Sequence, residues 1–453
     1  MAFEDTRPVV HVVHCVDTEG PLHESLEATF GRLSATFGLK LAPTLENLER
    51  IRHRELDLGG WEEAAARMVS PQQLDYLDTW DKLDTVLDEL FNPEFRGRYR
   101  DSFGNPWVLG WFCMDHVGFE TNPRRRALGH HVVFDHYRAR LVAHPEAGDE
   151  LAFHFHPVPM SRQANHRATS WFATDTAIFR ILARRIIDRG WFPCAHRPGF
   201  NATRPDGHWF LEQHVPFDFA NQAWTDPRGA ADASQPDRAT GRFVDWRRAP
   251  ESWAPYHPHH DDYQRQGDCR RWIARCLNAG ARARVLTQPE VDRAFAQAGA
   301  GEPVVLAFAD HDHRSVLPDV AHVHAMLERA ASARPDVAYR LCTPREAMRR
   351  ALGLAADAVT FDLSWRGNVL RIEADRPTFG PQPFLALKTR GGQYHADNLD
   401  FEEPFRRWSY TFDAESLPLE AVEAVGLGAA SPSGGVTVAV WRAGAGEWTQ
   451  DHL

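Results

Sequence analysis

Two carboxylates, Asp17 and Glu19, stand two residues apart in "VDTEG", at the end of the apolar run "VVHVVHCV" and just before a Gly-Pro break. Acidic groups placed there suit two kinds of work. Near a helix start they interact favourably with the helix dipole. As a chemical pair, one can bind a metal while the other takes a proton from water. His154 and His156 in "ELAFHFHP" form a second constellation. On an extended strand, side chains at i and i+2 point the same way, so both imidazoles can reach one ion. Neutral imidazole suits Zn, Fe, Ni or Co, and a carboxylate completes a three-ligand site with open positions. A lone His-x-His pair also fits a buried, hydrogen-bonded His beside a loop His.

Four further stretches carry polar groups in or at the ends of apolar runs. Arg197 in "HRPGF" precedes turn chemistry, and beside a catalytic carboxylate it would keep that group ionised and oriented. "AFADHDHR" holds Asp310, His311, Asp312 and His313. It reads either as a solvated loop or as the source of a general acid, His311 or His313. A nearby carboxylate such as Asp218, in "PFDFANQA", would then hold the tautomer of that His. Asp115 and His116 end "WVLGWFCM". "YHPHHDD" lies in a polar excursion from about 225 to 266 and reads as substrate-facing or incidental rather than as a second metal site. The aromatics of "SWFATD" and "QAWTDP" suit either a sugar-stacking surface or simple core.

These residues need elements to hold them on one rim. Short β-branched or aromatic runs alternate with helical patterns through the first 355 positions. Candidate strands are "VVHVVHCV", "WVLGWFCM", "ELAFHFH", "FPCAHR", "PFDFANQA", "ARVLT", "PVVLAFA" and "VAYRLCT". Several are apolar throughout, as strands buried on both faces must be. In "TDTAIFRILARRIIDRG" Ile178, Ile181, Leu182 and Ile186 share one helical face, with Thr174 as start cap and Gly190 as stop. "LDTWDKLDTVLDELF", "DCRRWIARCLNAG", "PEVDRAFAQAG" and "VAHVHAMLERAASAR" have the same period. Alternating strands and helices predict a parallel (β/α) barrel of about seven or eight strands over residues 1–355. No Gly-rich phosphate loop favours the open doubly wound alternative. Residues 356–453 show period-two runs broken by Gly, Pro and Asn-Asp turns, which predicts a small antiparallel β domain of sandwich type. In a parallel barrel the polar strand ends open onto one face, the usual active-site face.

Composition narrows the class. With 51 basic and 62 acidic residues in 453, the net charge of −11 argues against nucleic acid as a partner. The basic clusters "NPRRRALGHH" and "DWRRAPESW" are short and read as solvated faces. Six cysteines form no CxxC pair and no framework spacing. No apolar stretch approaches a membrane span, and the N-terminus lacks signal-peptide character, so the expectation is a cytoplasmic protein acting on a small molecule or glycan.

The order of the motifs resembles the polysaccharide deacetylase family. "VDTEG" matches that family's acidic strand end, "ELAFHFHP" its two-His strand, "HRPGF" its Arg-x-Pro/Gly motif, "FDFANQAW" its strand Asp, and "AFADHDH" its final His-Asp strand end. "TPREAM" is similar to the family's last helix start, so the resemblance runs from about residue 9 to 352. It implies a general-base role for Asp17. It implies a divalent metal, with zinc first, held by Glu19, His154 and His156. Arg197 would support the base, and His311, assisted by Asp218, would be the general acid. Three points depart from the family pattern: the two His are separated by one residue instead of three, and the residue three beyond His156 is Pro159, which cannot substitute; Glu replaces the metal-binding Asp; and Asp310 and His313 compete with His311 for the acid role. A divergent branch with a His-x-His-Pro motif is the nearer match. The implied function is a metal-dependent hydrolase of a carbon–nitrogen amide bond, an N-deacetylase of an acetamido sugar or glycoconjugate precursor. Three alternatives stand beside it: a catalytically silent carbohydrate-binding protein, a hydrolase of a non-sugar amide, and an iron oxygenase built on the same two His and one carboxylate.

Overall fold

The first strand, Val9–Thr18 (β1), explains how the sheet closes. One of its edges is shared: Val9–Val12 pair with Ala338–Leu341, while Cys15–Thr18 pair with the start of Gly110–Met114. The other edge runs alongside Val304–His311 from Val10 to Asp17. In this computed structural model, which describes residues 6–115, 117, 118, 122, 124–157, 171, 176–199, 203–223, 246, 248–279 and 284–453, the strands follow in chain order. They are β1, β2 (Gly110–Met114), β3 (Glu150–Phe155), β4 (Ala195–Pro198), β5 (Phe217–Asn221), a short antiparallel hairpin of β6 (Pro258–His259) and β7 (Asp262–Gln266), β8 (Trp272–Asn278), β9 (Val304–His311) and β10 (Ala338–Leu341). Seven of these, β1-β2-β3-β4-β5-β8-β9, close into a parallel barrel through the β1–β9 pairing, and β10 adds an extra strand on β1. The predicted α/β barrel of seven or eight parallel strands followed by an antiparallel β domain is the fold observed.

Helices lie outside the barrel because its strands carry apolar side chains outward as well as inward. β2 and β5 are buried at every position, so neither face is left for water. Ala177–Arg189 buries Ile178, Ile181, Leu182 and Ile186 and ends at Gly190 in the left-handed conformation. The proposed start cap, Thr174, lies outside the described residues. Trp80–Phe91 is capped by Thr79, whose hydroxyl accepts from the Lys82 N–H.

Two elements differ from expectation. "DCRRWIARCLNAG" is not a helix: Trp272–Asn278 is the barrel strand β8, and "ARVLT" contributes only a single bridge from Val285 to Asn278. The helical pattern arose because Ile273, Ala274, Cys276 and Leu277 are buried on both sides of the strand, which erases alternation. Arg275 sits in that strand without an uncompensated charge, because Glu290 accepts from its guanidinium at 2.6 and 3.1 Å. An unforeseen helical insertion follows β1. Leu26–Phe37, Leu45–Arg52, Glu62–Met68 and Pro71–Leu74 pack around their own core of Phe30, Leu33, Leu48, Ile51 and Met68.

The last barrel helix, Pro344–Leu352, ends at Gly353, and the first strand of the antiparallel part starts at Phe361. There, Phe361–Arg366, Val369–Ala374, Arg407–Thr411 and Asp400–Glu403 form one sheet. Tyr394–Asp397, Phe384–Thr389, Val422–Ala430, Val436–Arg442 and Trp448–His452 form the other. Leu370, Ile372, Trp408, Val425 and Leu427 fill the space between the two sheets. A second core joins this part to the barrel: Ile186, Phe192, Phe384, Ala386 and Val436 are buried together. Among the described residues, no helix is long and apolar enough to cross a membrane.

Candidate metal and acid–base centre

The rim at the C-terminal ends of β1, β3, β4 and β9 gathers the polar residues. Alternation on β3 aims His154 and His156 the same way, and their Nε2 atoms stand 2.9 Å apart. The Nδ1–H of His154 donates to the carbonyl of Arg197 at 2.9 Å. That bond leaves the Nε2 lone pair of His154 directed into the site, the arrangement typical of a metal-binding imidazole. Glu19 Oε1 lies 3.9 Å from His156 Nε2. One donor atom from each of Glu19, His154 and His156 falls within 4.8 Å of the others, and all three residues are buried. A tetrahedral zinc with Zn–N bonds near 2.05 Å would hold two imidazole nitrogens about 3.3 Å apart. The two imidazole nitrogens therefore lie within a few tenths of an ångström of that separation, with Glu19 alongside them.

Two glycines make this geometry available. Gly20 has φ of 70° and turns the chain away directly after Glu19; a Cβ there would sit 3.2 Å from Trp80. Gly199 of "HRPGF" lies under the His156 ring, where a Cβ would come within 2.3 Å of the imidazole.

Asp17 sits beside the donor set. The Arg197 Nε–H donates to its two oxygens at 2.9 and 3.0 Å, with both residues buried. A second Arg197 nitrogen donates to the carbonyl of Phe219. Burial works against the Arg197 charge, but Asp17 more than compensates and raises its pKa further. His311 Nε2 is 3.7 Å from Asp17 Oδ2 and 3.9 Å from Glu19 Oε1. About a quarter of its side chain is exposed (26%), so it is the most open of the candidate groups named here. Burial lowers its pKa, opposed by Asp17 and Glu19. His313 lies 4.0 Å from the other Glu19 oxygen, and burial drives its pKa well down.

Sequence reasoning passed over several residues that shape this site. Arg126, from the basic cluster read as a solvated face, bonds Glu19 Oε2 and is buried. Burial alone would raise the Glu19 pKa. Arg126, then His313, His156 and His311, hold it well below the carboxylate range instead. Asp312 fixes the backbone after β1: it accepts from the N–H groups of Glu19 at 2.7 Å and Gly20 at 2.9 Å, and from the Tyr137 hydroxyl at 2.7 Å. Its burial pushes its pKa up to about 7. The helical insertion reaches the same place, since the Leu77 N–H donates to the carbonyl of His313. Of these, only Asp312 carried a sequence signal, its place in "ADHDH".

Other candidates fall elsewhere. Asp218 does not orient His311. His196 pairs with Asp218 in register and Arg197 with His154, so inward-facing Arg197 leaves His196 and Asp218 on the outer face. There Asp218 lies 3.2 Å from His196 Nδ1 and 3.2 Å from Arg271. Asp310 also turns away: it accepts from His14 Nε2–H at 3.0 Å, while His14 Nδ1 accepts from the Trp107 indole. Asp115 is held by both bonds of an Arg185 nitrogen, at 2.8 and 2.9 Å. His116 and Pro159 lie outside the described residues. "YHPHHDD" docks the β6–β7 hairpin: the carbonyls of His259 and His260 accept from His208 on the helix Pro205–His214. Trp171 is core, packed on Phe155 and Phe210. Of "QAWTDP", Gln222 and Ala223 are buried, and the rest lies outside the described residues.

No known family model matches this chain, and no curated protein matches it.

Proposed function

We propose that this chain is a metal-dependent hydrolase of a carbon–nitrogen amide bond, related to the divergent polysaccharide deacetylases, and that it removes acetyl from an acetamido sugar or glycoconjugate precursor. One observation carries the reading. A Glu-His-His donor set, buried and converging, lies beside a carboxylate whose two oxygens both accept from one arginine N–H. A divalent metal, with zinc the first choice, would polarise the amide carbonyl and acidify water.

Each protein group has a defined task. Asp17, oriented by Arg197, takes the proton from the attacking water. Asp312 and Gly20 hold Glu19 in place by fixing the backbone around it. His311, the most open imidazole, stands where it can pass a proton to the departing amine. Arg126 keeps Glu19 anionic, so the Oε1 facing His156 stays a good donor. Six buried free thiols and a net charge of −11 fit a small-molecule or glycan substrate in a reducing, cytoplasmic setting.

Acetate release from a panel of N-acetyl sugars, sugar nucleotides and simple acetamides tests this. The reading expects release that a chelator abolishes and added Zn or Co restores. Acetate release from none of them by metal-loaded protein would refute it. Two His and one carboxylate is also a ligand set of non-haem iron oxygenases. Turnover under anaerobic conditions separates hydrolysis from that chemistry.

A further inference from the structure

A cavity of 790 Å³ lies away from the metal-site residues, between the helix Ala177–Arg189 and the antiparallel part. Three features of it point to one kind of ligand. First, Arg180 and Arg184, one helical turn apart, both line it. Neither guanidinium meets a carboxylate within ion-pair distance among the described residues, and the Arg184 Nε–H is buried without an acceptor. The buried Arg96, Arg185, Arg197 and Arg275 are each matched to an acid, whereas half-buried Arg184 and exposed Arg180 bring two cations without such a partner to one cavity. Second, the same cavity takes in the start of the helix at Thr176, whose side chain makes no cap and whose first turn holds no acidic residue. The positive end of the helix dipole therefore adds to the arginine field. Third, the walls are aromatic and amide-bearing. Phe179 is 39% exposed, Arg184 stacks over the Tyr394 ring at 4.5 Å, and Gln213 and Asn398 line the cavity with Asp397, whose carboxylate accepts from the Tyr410 hydroxyl at 2.8 Å. Stacking fixes the plane of the Arg184 guanidinium, so less side-chain freedom is lost when it binds an anion.

We propose that this cavity is a binding site for an anionic saccharide. The acidic group lies between Arg180 and Arg184 at the helix start, a sugar face packs on Phe179, and hydroxyls meet Gln213 and Asn398. Planar guanidinium groups match a carboxylate in two parallel bonds, and an exposed ring next to amides suits the apolar face and hydroxyl edge of a sugar. Occupancy needs no metal, so the site stands or falls independently of the hydrolase reading.

The test is calorimetric titration of the metal-free, full-length protein with three probes. They are a tetrasaccharide of alternating glucuronate and N-acetylglucosamine, an uncharged N-acetylglucosamine tetramer, and inorganic phosphate. The charged tetrasaccharide is expected to bind at least about tenfold more tightly than either other probe. R180Q and R184Q are each expected to weaken it about tenfold, while R366Q, exposed at the end of Phe361–Arg366 and outside the cavity lining, leaves it unchanged. Arg180 is exposed, so R180Q keeps the test valid even if R184Q fails to fold. Equal binding of charged and uncharged tetrasaccharides, or unchanged affinity in R180Q, would overturn the proposal. Phosphate binding as tightly as the charged tetrasaccharide would overturn the saccharide assignment and leave a plain anion site.

Discussion

Arg197 places its Nε–H between the two carboxylate oxygens of Asp17, 2.9 and 3.0 Å away, while its own backbone carbonyl accepts from His154. One residue of β4 thus orients both the candidate base and the candidate metal ligand. Both members of the ion pair are buried, so the arrangement carries a testable cost.

Removing Arg197 leaves the Asp17 charge buried without a partner. R197A is expected to lose about 3–5 kcal/mol of stability by urea denaturation. R197K keeps the charge but loses the fork geometry, and should recover much of the stability while restoring little activity. Full activity in R197K would separate the pair from catalysis.

Gly199 is expected to matter through His156 alone. A methyl group at that position meets the imidazole at 2.3 Å, so G199A must push the ring away from the site. The expected result is a folded protein with metal affinity lowered about 10–100-fold, read by competition with a chelating dye. Unchanged affinity would mean that His156 is not a ligand.

Glu19 has a pKa held well below its ordinary 4.5. Its unfolded form therefore binds more protons than the folded form below that value, and stability from this group is present above pH 4.5 and lost as pH falls through the folded pKa. Asp115, raised by burial to about 6, works in the opposite sense and costs stability as pH rises from about 4 to 6. E19Q is thus expected to flatten the acid side of the stability curve, and D115N its approach to neutrality. Denaturation midpoints between pH 3 and 7 check both, and parallel curves for E19Q and wild type would contradict the first.

Asp218 tests the alternation argument. D218N should destabilise the fold, because Arg271 and His196 lose a buried anionic partner, while the pH profile of activity keeps its shape. A shifted alkaline limb, where the general acid loses its proton, would return Asp218 to the task of orienting His311.

Much of this architecture was legible in the sequence, because strands buried on both faces read as apolar runs and their polar ends mark one rim. "VVHVVHCVDT" and "ELAFHFH" show this directly. The same property hid β8: a strand buried on both faces has no alternation, and the partner that lets Arg275 sit in it, Glu290, lies on another element. The paired His of β3 was readable from its spacing, while Glu19 as the third candidate ligand rested on the family resemblance. The outward turn of Asp218 was not, since it depends on register with Arg197 across β4 and β5. Arg126 meets Glu19 across 107 residues of chain, and a basic cluster on a loop carries no local sign of that contact. The insertion from Leu26 to Leu74 has modest amphipathic helices, and its packing against the His313 loop is tertiary.

Metal stoichiometry tests the central claim most directly. Protein purified without chelator and dialysed against zinc should hold one equivalent of tightly bound divalent metal by inductively coupled plasma mass spectrometry. H154A, H156A and E19A should each lose most of it, and D218N should keep it. Wild-type protein that retains no metal, or an H154A and H156A double variant that retains the full equivalent, would contradict the account.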